Sequence, residues 1–96
     1  MLNNEELWAK AQEFAKALHA YSQASSNAKK DRSNKVASII TATSKKSFIE
    51  SLVDIIAVAD DQETISSIAS IVNMMPSDNV PYFLTLIRFH FAAISK

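Results

Sequence analysis

The chain contains no glycine, and this absence restricts its fold more than any other feature of its 96 residues. Glycine makes up about 7% of average proteins, so roughly seven glycines would be expected in a chain of this length. Glycine adopts positive φ without strain, which two-residue β-hairpins, phosphate-binding loops and many helix C-termini require. Tight β-hairpins are therefore disfavoured, and the glycine-rich loops of P-loop and dinucleotide-binding folds are excluded.

Length and composition predict one globular domain over residues 1–96. Apolar residues are 48% of the chain and charged residues 21%, which is too apolar for a disordered protein. Cysteine is absent, so disulfides and thiolate metal sites are excluded. No apolar run approaches the roughly 20 residues that span a bilayer, and the N-terminus lacks a secretion signal. We expect a soluble, cytoplasmic protein that does not bind membranes.

The N-terminal third predicts one long helix followed by a loop. Apolar residues recur there at helical spacing: Leu7, Ala11, Phe14, Leu18 and Tyr21. Asn3 is a good N-cap, and Glu6 stands in the position that completes a capping box. We therefore expect a helix from about residue 4 to about residue 24. The polar stretch 25–34 breaks the apolar pattern and predicts a loop.

The middle of the chain predicts two helices with a break between them. Residues 36–43 fit a short helix, although their β-branched content also allows a strand. The apolar stripe of 36–43 and that of 48–59 would point to opposite sides of one continuous helix. A break near Thr43–Ser44 is therefore favoured, with Ser44 as the N-cap of the second helix.

The last third predicts two more helices. Asp60 is placed to cap the first of them, with Glu63 completing a capping box. Pro76 ends that helix, and Asp78 or Asn79 caps the last helix. The last helix is apolar on nearly all sides, so we expect it in the middle of the molecule. The predicted fold is all-α, a compact bundle of about four to five helices.

The sequence contains no pattern typical of a catalytic or metal site. His19 and His90 have no His or carboxylate at helical ligand spacing; we expect a surface imidazole at His19 and a core or interface imidazole at His90. Glu50 and Asp54 predict a solvated face, with Lys46 and Glu50 forming an ion pair. No serine lies in a nucleophile elbow. We therefore expect neither enzymatic activity nor a metal or other cofactor.

Positive charge is concentrated between residues 27 and 46. This stretch, NAKKDRSNKVASIITATSKK, holds six of the ten basic residues and one acidic residue. The basic residues are Lys29, Lys30, Arg32, Lys35, Lys45 and Lys46. Such a cluster is compatible with a merely solvated loop. It is also compatible with an anion site, because Lys45 and Lys46 would oppose the dipole of a helix that begins after Ser44. If the preceding helix instead ended at Lys46, both lysines would be favourable at its C-terminus and would give less reason to expect an anion site.

Nucleic acid is the polyanion that such a cluster favours. No aromatic residue is interleaved with the lysines, so contacts to the sugar-phosphate backbone are expected rather than base stacking. Arg88, on the weakly polar stripe of the last helix, either extends the basic patch or pairs with an acid of a neighbouring helix. The sequence predicts these seven cations as a nucleic-acid-binding set.

The glycine-poor helical pattern, the basic segment and the closing PYFLTLIRFHFA (81–92) together resemble the small subunits of CRISPR effector complexes of the Cascade type. The resemblance implies a non-catalytic helical bundle in an antiviral ribonucleoprotein, present in several copies. It implies contact with the target or displaced DNA strand near the guide RNA, as single-stranded DNA or as a guide RNA–DNA duplex. The neutral net charge and the absence of aromatics near the lysines depart from that expectation.

A second hypothesis is a structural or adaptor bundle that acts through protein–protein contacts or oligomerisation, without binding nucleic acid. Its basis is the surplus of large apolar residues in 80–94 for so small a core. A chain of this size can depend on neighbouring subunits for stability.

Overall fold

The computed structural model describes residues 2–23 and 26–96, which fold into an all-α bundle. Its five α-helices are α1 (Asn4–Ser22), α2 (Ser26–Ile40), α3 (Lys45–Ile56), α4 (Gln62–Met74) and α5 (Val80–Ile94). A short 3₁₀ turn, Ser77–Asn79, leads into α5. The described residues contain no β-strand, so the predicted fold class is confirmed and the strand alternative for 36–43 is not formed.

Short polar side chains begin two of the helices as the sequence predicts. Asn3 Oδ1 accepts from the Glu6 backbone N–H at 2.8 Å, and the Glu6 carboxylate accepts from the Asn3 N–H at 3.2 Å. Ser44 likewise accepts from the Ser47 N–H at 3.1 Å, so the predicted break before α3 is confirmed. Each capping box satisfies backbone donors that the first helical turn leaves unpaired.

The start of α4 and the start of α5 differ from the prediction in detail. Asp61, not Asp60, caps α4, and its carboxylate accepts from the Thr64 N–H at 3.1 Å. Asn79 occupies the N-cap position of α5 but forms no side-chain capping bond, because the 3₁₀ turn already brings the chain into helical geometry. Pro81 lies in the first turn of α5, as predicted.

The predicted loop over 25–34 is wrong, because α2 begins at Ser26. Residues 24 and 25, where the first helix was expected to end and the loop to begin, lie outside the described residues. Lysine, arginine and alanine are good helix formers, so α2 does not need an apolar residue in its first two turns. Its inward face includes the half-buried Ala28 and Arg32 and continues with the buried Val36 and Ile39. Long basic side chains cover apolar neighbours with their stems, which an apolar pattern does not reveal.

All five helices contribute to one apolar core. The last helix, α5, packs against α1 along much of its length and also contacts α2. Its buried residues are Val80, Phe83, Leu84, Leu86, Ile87 and His90. The expectation that the last helix occupies the middle of the bundle is wrong: α1 is the helix that contacts α2, α4 and α5, whereas α5 packs mainly on α1 and leaves Tyr82 and Phe89 exposed. In the described part of the chain, no helix has the length and apolarity needed to cross a membrane.

Candidate functional site

The seven predicted cations are distributed over three helices. Lys29 and Lys30 lie near the N-terminus of α2, while Lys45 and Lys46 form the first turn of α3, beyond the other end of α2. At about 1.5 Å per residue, the axis of α2 between Lys30 and Ile40 spans roughly 15 Å. The lysine pairs therefore do not converge on one point, and any ligand that contacts both must extend along α2.

Arg32 is held at the junction of α1 and α2. Its Nη1 donates to the backbone carbonyl of Tyr21 at 3.2 Å. Its Cζ lies 4.6 Å from the centroid of the Tyr21 ring, which is a cation–π contact. Arg32 thus stabilises the end of α1, and its guanidinium is half-buried rather than fully available to a ligand.

Lys45 reaches away from its own helix. Its Nζ donates to the carbonyl of Met75 at 2.6 Å and to that of Asn73 at 3.2 Å. Both carbonyls lie at the C-terminal end of α4, where the helix dipole favours a cation. The cost of a lysine in the first turn of α3 is therefore offset by contacts with the end of α4.

Arg88 of α5 also bonds to the end of a neighbouring helix. Its Nη1 donates to the carbonyl of Ile40, the last residue of α2, at 3.2 Å, and its Nη2 donates to Thr85 Oγ1 at 3.3 Å. In the ranges 2–23 and 26–96, no Asp or Glu lies within ion-pair distance of Arg88. The alternative of an acidic partner on a neighbouring helix is thus not formed there, and the guanidinium contacts the C-terminus of α2.

The remaining four cations are lysines that form no bond to a helix-end carbonyl of the described residues. Lys35 forms a largely exposed ion pair with Asp31 at 3.4 Å. Lys29, Lys30 and Lys46 are exposed and form no ion pair or side-chain hydrogen bond with another described residue. The ion pair expected between Lys46 and Glu50 is not formed. We call Lys29, Lys30 and Lys46 the unpaired lysines below.

An exposed aromatic surface that the sequence did not predict is formed by Trp8 of α1 with Tyr82 and Phe89 of α5. Trp8 is 45% exposed, Tyr82 47% and Phe89 57%. The ring centroids of Trp8 and Phe89 lie 5.5 Å apart. The seven-residue spacing of Tyr82 and Phe89 places them on one face of α5, which the sequence could have revealed. Only the packing of α1 against α5 adds Trp8 to that face.

His90 lies beneath this aromatic surface. It is only 5% exposed, and its ring meets that of Trp8 edge-on at a centroid distance of 4.4 Å. Its Nε2 has no hydrogen-bond partner within the described structure, and burial lowers the pKa of His90 below its ordinary value. The predicted burial of His90 is thus confirmed, and its position favours the neutral imidazole.

Two grooves lie beside α1 and α4. An apolar groove of about 400 Å³ lies between the N-terminus of α1 and the C-terminus of α4, next to Leu7 and Met74. A polar groove of about 370 Å³ lies between α1 and the N-terminus of α4, next to Lys10 and Asp61. Throughout the described ranges, no three His, Asp or Glu side chains are grouped so that they could hold a metal ion.

In comparisons with known proteins, no protein family, curated protein or solved structure matches this chain. The class of the protein follows from its fold, which is a five-helix all-α bundle. Two surface features stand out on this bundle, namely the unpaired lysines along α2 and α3 and the aromatic surface on α1 and α5.

Proposed function

We propose that this protein is a non-catalytic subunit of a nucleoprotein complex and that the unpaired lysines contact a sugar-phosphate backbone. The observation that carries the proposal is that Lys29, Lys30 and Lys46 are exposed cations without a described intramolecular partner. The sequence resemblance to Cascade-type small subunits makes a CRISPR surveillance complex the proposed setting. The ligand would then be a target or displaced DNA strand, and the protein would act beside other subunits and copies of itself in the cytoplasm.

The exposed side of α2 suits an extended backbone. Between the two lysine groups it presents small side chains: Ser33, Asn34, Ala37 and Ser38, all exposed. Small side chains allow close approach, and hydroxyl and amide groups can donate to phosphate oxygens. Lys35 can join the contact, because exchanging an exposed ion pair for a phosphate costs little. Arg32, Lys45 and Arg88 add to the positive field while they remain bonded to carbonyls of the fold.

Salt dependence of DNA binding tests this proposal. Three lysines that each neutralise one phosphate of a single strand predict a slope of about −2 in a plot of log affinity against log salt. We expect the triple variant Lys29→Gln/Lys30→Gln/Lys46→Gln to lose most of this slope. Fluorescence anisotropy of a labelled oligonucleotide, single-stranded or paired with RNA, measures both quantities.

A matched triple variant controls for net charge. Lys10→Gln, Lys16→Gln and Lys96→Gln remove the same charge from positions outside the basic segment, so we expect the slope to stay close to wild type. Equal weakening by the two triple variants would show non-specific attraction and contradict the proposal. Failure of both the isolated protein and its native assembly to bind at low salt would also contradict it.

The aromatic surface favours a second candidate function, an adaptor that associates with copies of itself. Aromatic side chains dominate interface energetics because each buries about 150–250 Å². Light scattering over a range of protein concentrations should then show an oligomer that Phe89→Glu dissociates. Val53→Glu is the matched control, because Val53 of α3 is also an exposed apolar residue, 63% exposed, but lies outside the aromatic surface. A protein that stays monomeric at all concentrations would contradict self-association.

A further inference from the structure

The last turn of each α-helix leaves up to four backbone carbonyls without a partner inside the helix. Roughly a third to a half of helices solve this with a residue of positive φ, usually glycine, just after the helix. This chain has no glycine, and no described residue has positive φ. A second solution is a Lys, Arg or His in the last turn of the helix itself. Here only α1 has one, His19, and the last turns of α2, α3, α4 and α5 have none.

Three helix C-termini, including that of α1, receive a cation from another helix. Arg32 of α2 donates to the end of α1, Arg88 of α5 to the end of α2, and Lys45 of α3 to the end of α4. The partners are 11, 48 and 30 residues apart in the sequence. The end of α3 shows a neutral version of the same arrangement, since the amide of Gln62 donates to the Ala57 carbonyl at 3.0 Å.

We propose that Arg32, Lys45 and Arg88 are caps supplied in trans that replace glycine at three helix ends. We call their contacts helix-end ties. Each tie satisfies a carbonyl, places a positive charge at the negative end of a helix dipole, and fixes one helix against another. Two of the six cations in the basic segment, Arg32 and Lys45, therefore serve folding. This role goes beyond the proposed nucleic-acid contact and does not depend on it.

The neighbouring residues Lys45 and Lys46 provide a direct test. Both are lysines in the first turn of α3, so the dipole of α3 alone predicts that either Lys→Met substitution leaves the melting temperature unchanged or raises it slightly. Methionine retains an unbranched stem and removes only the ammonium group. We expect Lys45→Met to lower the melting temperature by about 4–8 °C, whereas Lys46→Met stays within about 2 °C of wild type or above it. Equal melting temperatures for the two variants would overturn the tie at α4.

A local measurement tests the tie at α2. Arg88→Met should let the end of α2 fray, so the amide hydrogens of Thr41 and Ala42, which bond to the carbonyls of Ala37 and Ile39, should exchange faster. Lys45→Met should leave these two amides close to wild type relative to the rest of the protein. If Arg88→Met accelerated amide exchange evenly over the chain, or left exchange at both amides unchanged, this tie would be overturned.

The outcomes for the ties and for the nucleic-acid proposal are separable. The proposed function predicts that Lys46→Met weakens oligonucleotide binding without lowering the melting temperature. The ties predict that Lys45→Met lowers the melting temperature whether or not any nucleic acid binds. One proposal can therefore fail while the other stands.

Discussion

The helix α5 and the basic stretch from residue 27 to residue 46 are attached to the fold in different ways: α5 by buried apolar side chains, and the basic stretch in part by cations that bond to helix-end carbonyls. In α5 the apolar pattern predicts a helix that begins near Pro81 and is buried on nearly all sides; the structure contains that helix, but Tyr82 and Phe89 are exposed on it. In the basic stretch the pattern predicts a charged loop followed by a short helix. The structure instead has α2 from Ser26 onward, and two of the stretch's cations bond to helix-end carbonyls.

The difference comes from what determines the position of each kind of side chain. An apolar side chain is placed by the helical period, because burial depends on which face of the helix it occupies. A lysine or arginine head is placed by the reach of a long flexible stem, so its partner depends on which helix end packs nearby. Apolar patterns therefore predict packing faces, whereas charge patterns do not by themselves distinguish a ligand site from a structural contact.

Truncation of a buried and of an exposed phenylalanine of α5 should have very different costs. Phe83→Ala should lower the free energy of unfolding by about 3–5 kcal/mol, because it removes a ring from a fully buried site. Phe89→Ala, in the same helix, should cost less than about 1 kcal/mol, because that ring is 57% exposed. Urea denaturation followed by circular dichroism measures both. Similar losses would show that the aromatic surface belongs to the core of the monomer.

Ser44 caps α3 at the break that separates α2 from α3 inside the basic stretch. Ser44→Ala should cost about 0.5–2 kcal/mol, because it removes the side-chain acceptor of the Ser47 N–H. Thr43→Ala is the control: its side chain is exposed and takes no part in the capping box, so we expect a change within about 0.5 kcal/mol. Chemical denaturation of the two variants decides whether the local cap or the surrounding packing positions α3.

A pH titration tests the electrostatics of α5. Because burial lowers the pKa of His90 in the folded protein, the unfolded chain binds a proton more readily. The contribution of neutral His90 to the free energy of unfolding should therefore be fully present above pH 6.5, the ordinary histidine pKa. It should be lost as the pH falls from there toward the lower pKa of the folded protein. His90→Leu should remove this part of the pH dependence, and His19→Gln should keep it. A profile that His90→Leu leaves unchanged would contradict this assignment.

The exposed ion pair between Asp31 and Lys35 in the basic stretch should contribute least to stability. Asp31→Asn removes the exposed ion pair with Lys35, 3.4 Å apart in α2, and should cost no more than about 0.5 kcal/mol. It also raises the net charge of the segment, so oligonucleotide affinity at low salt should increase. A loss above about 1 kcal/mol would show that charge pairs, and not only the helix-end ties, stabilise this region.

Much of the fold could be predicted because its signals are local. Asn3 with Glu6, Ser44 and Pro81 mark helix boundaries through contacts with residues at most four positions away. Asp61 was missed by one residue because two adjacent aspartates offer equivalent caps, and only the path of the chain selects between them.

The candidate site could be predicted only in part. The concentration of lysines is visible in the sequence, but their separation along α2 is not, because the predicted loop proved to be a helix. The contact of Trp8 with Phe89 and the bond of Arg88 to Ile40 join residues 81 and 48 positions apart. Such pairs form only when the helices pack, so no local pattern predicts them.

By itself, the sequence determined that this protein is helical and where most of its helices begin, because glycine absence, apolar period and capping residues act over a few neighbouring positions. The tertiary structure alone decided which cations bond to the fold and which remain unpaired. The physical reason is that a helix C-terminus without glycine leaves carbonyls that need donors, and only packing determines which long cationic side chain lies within reach.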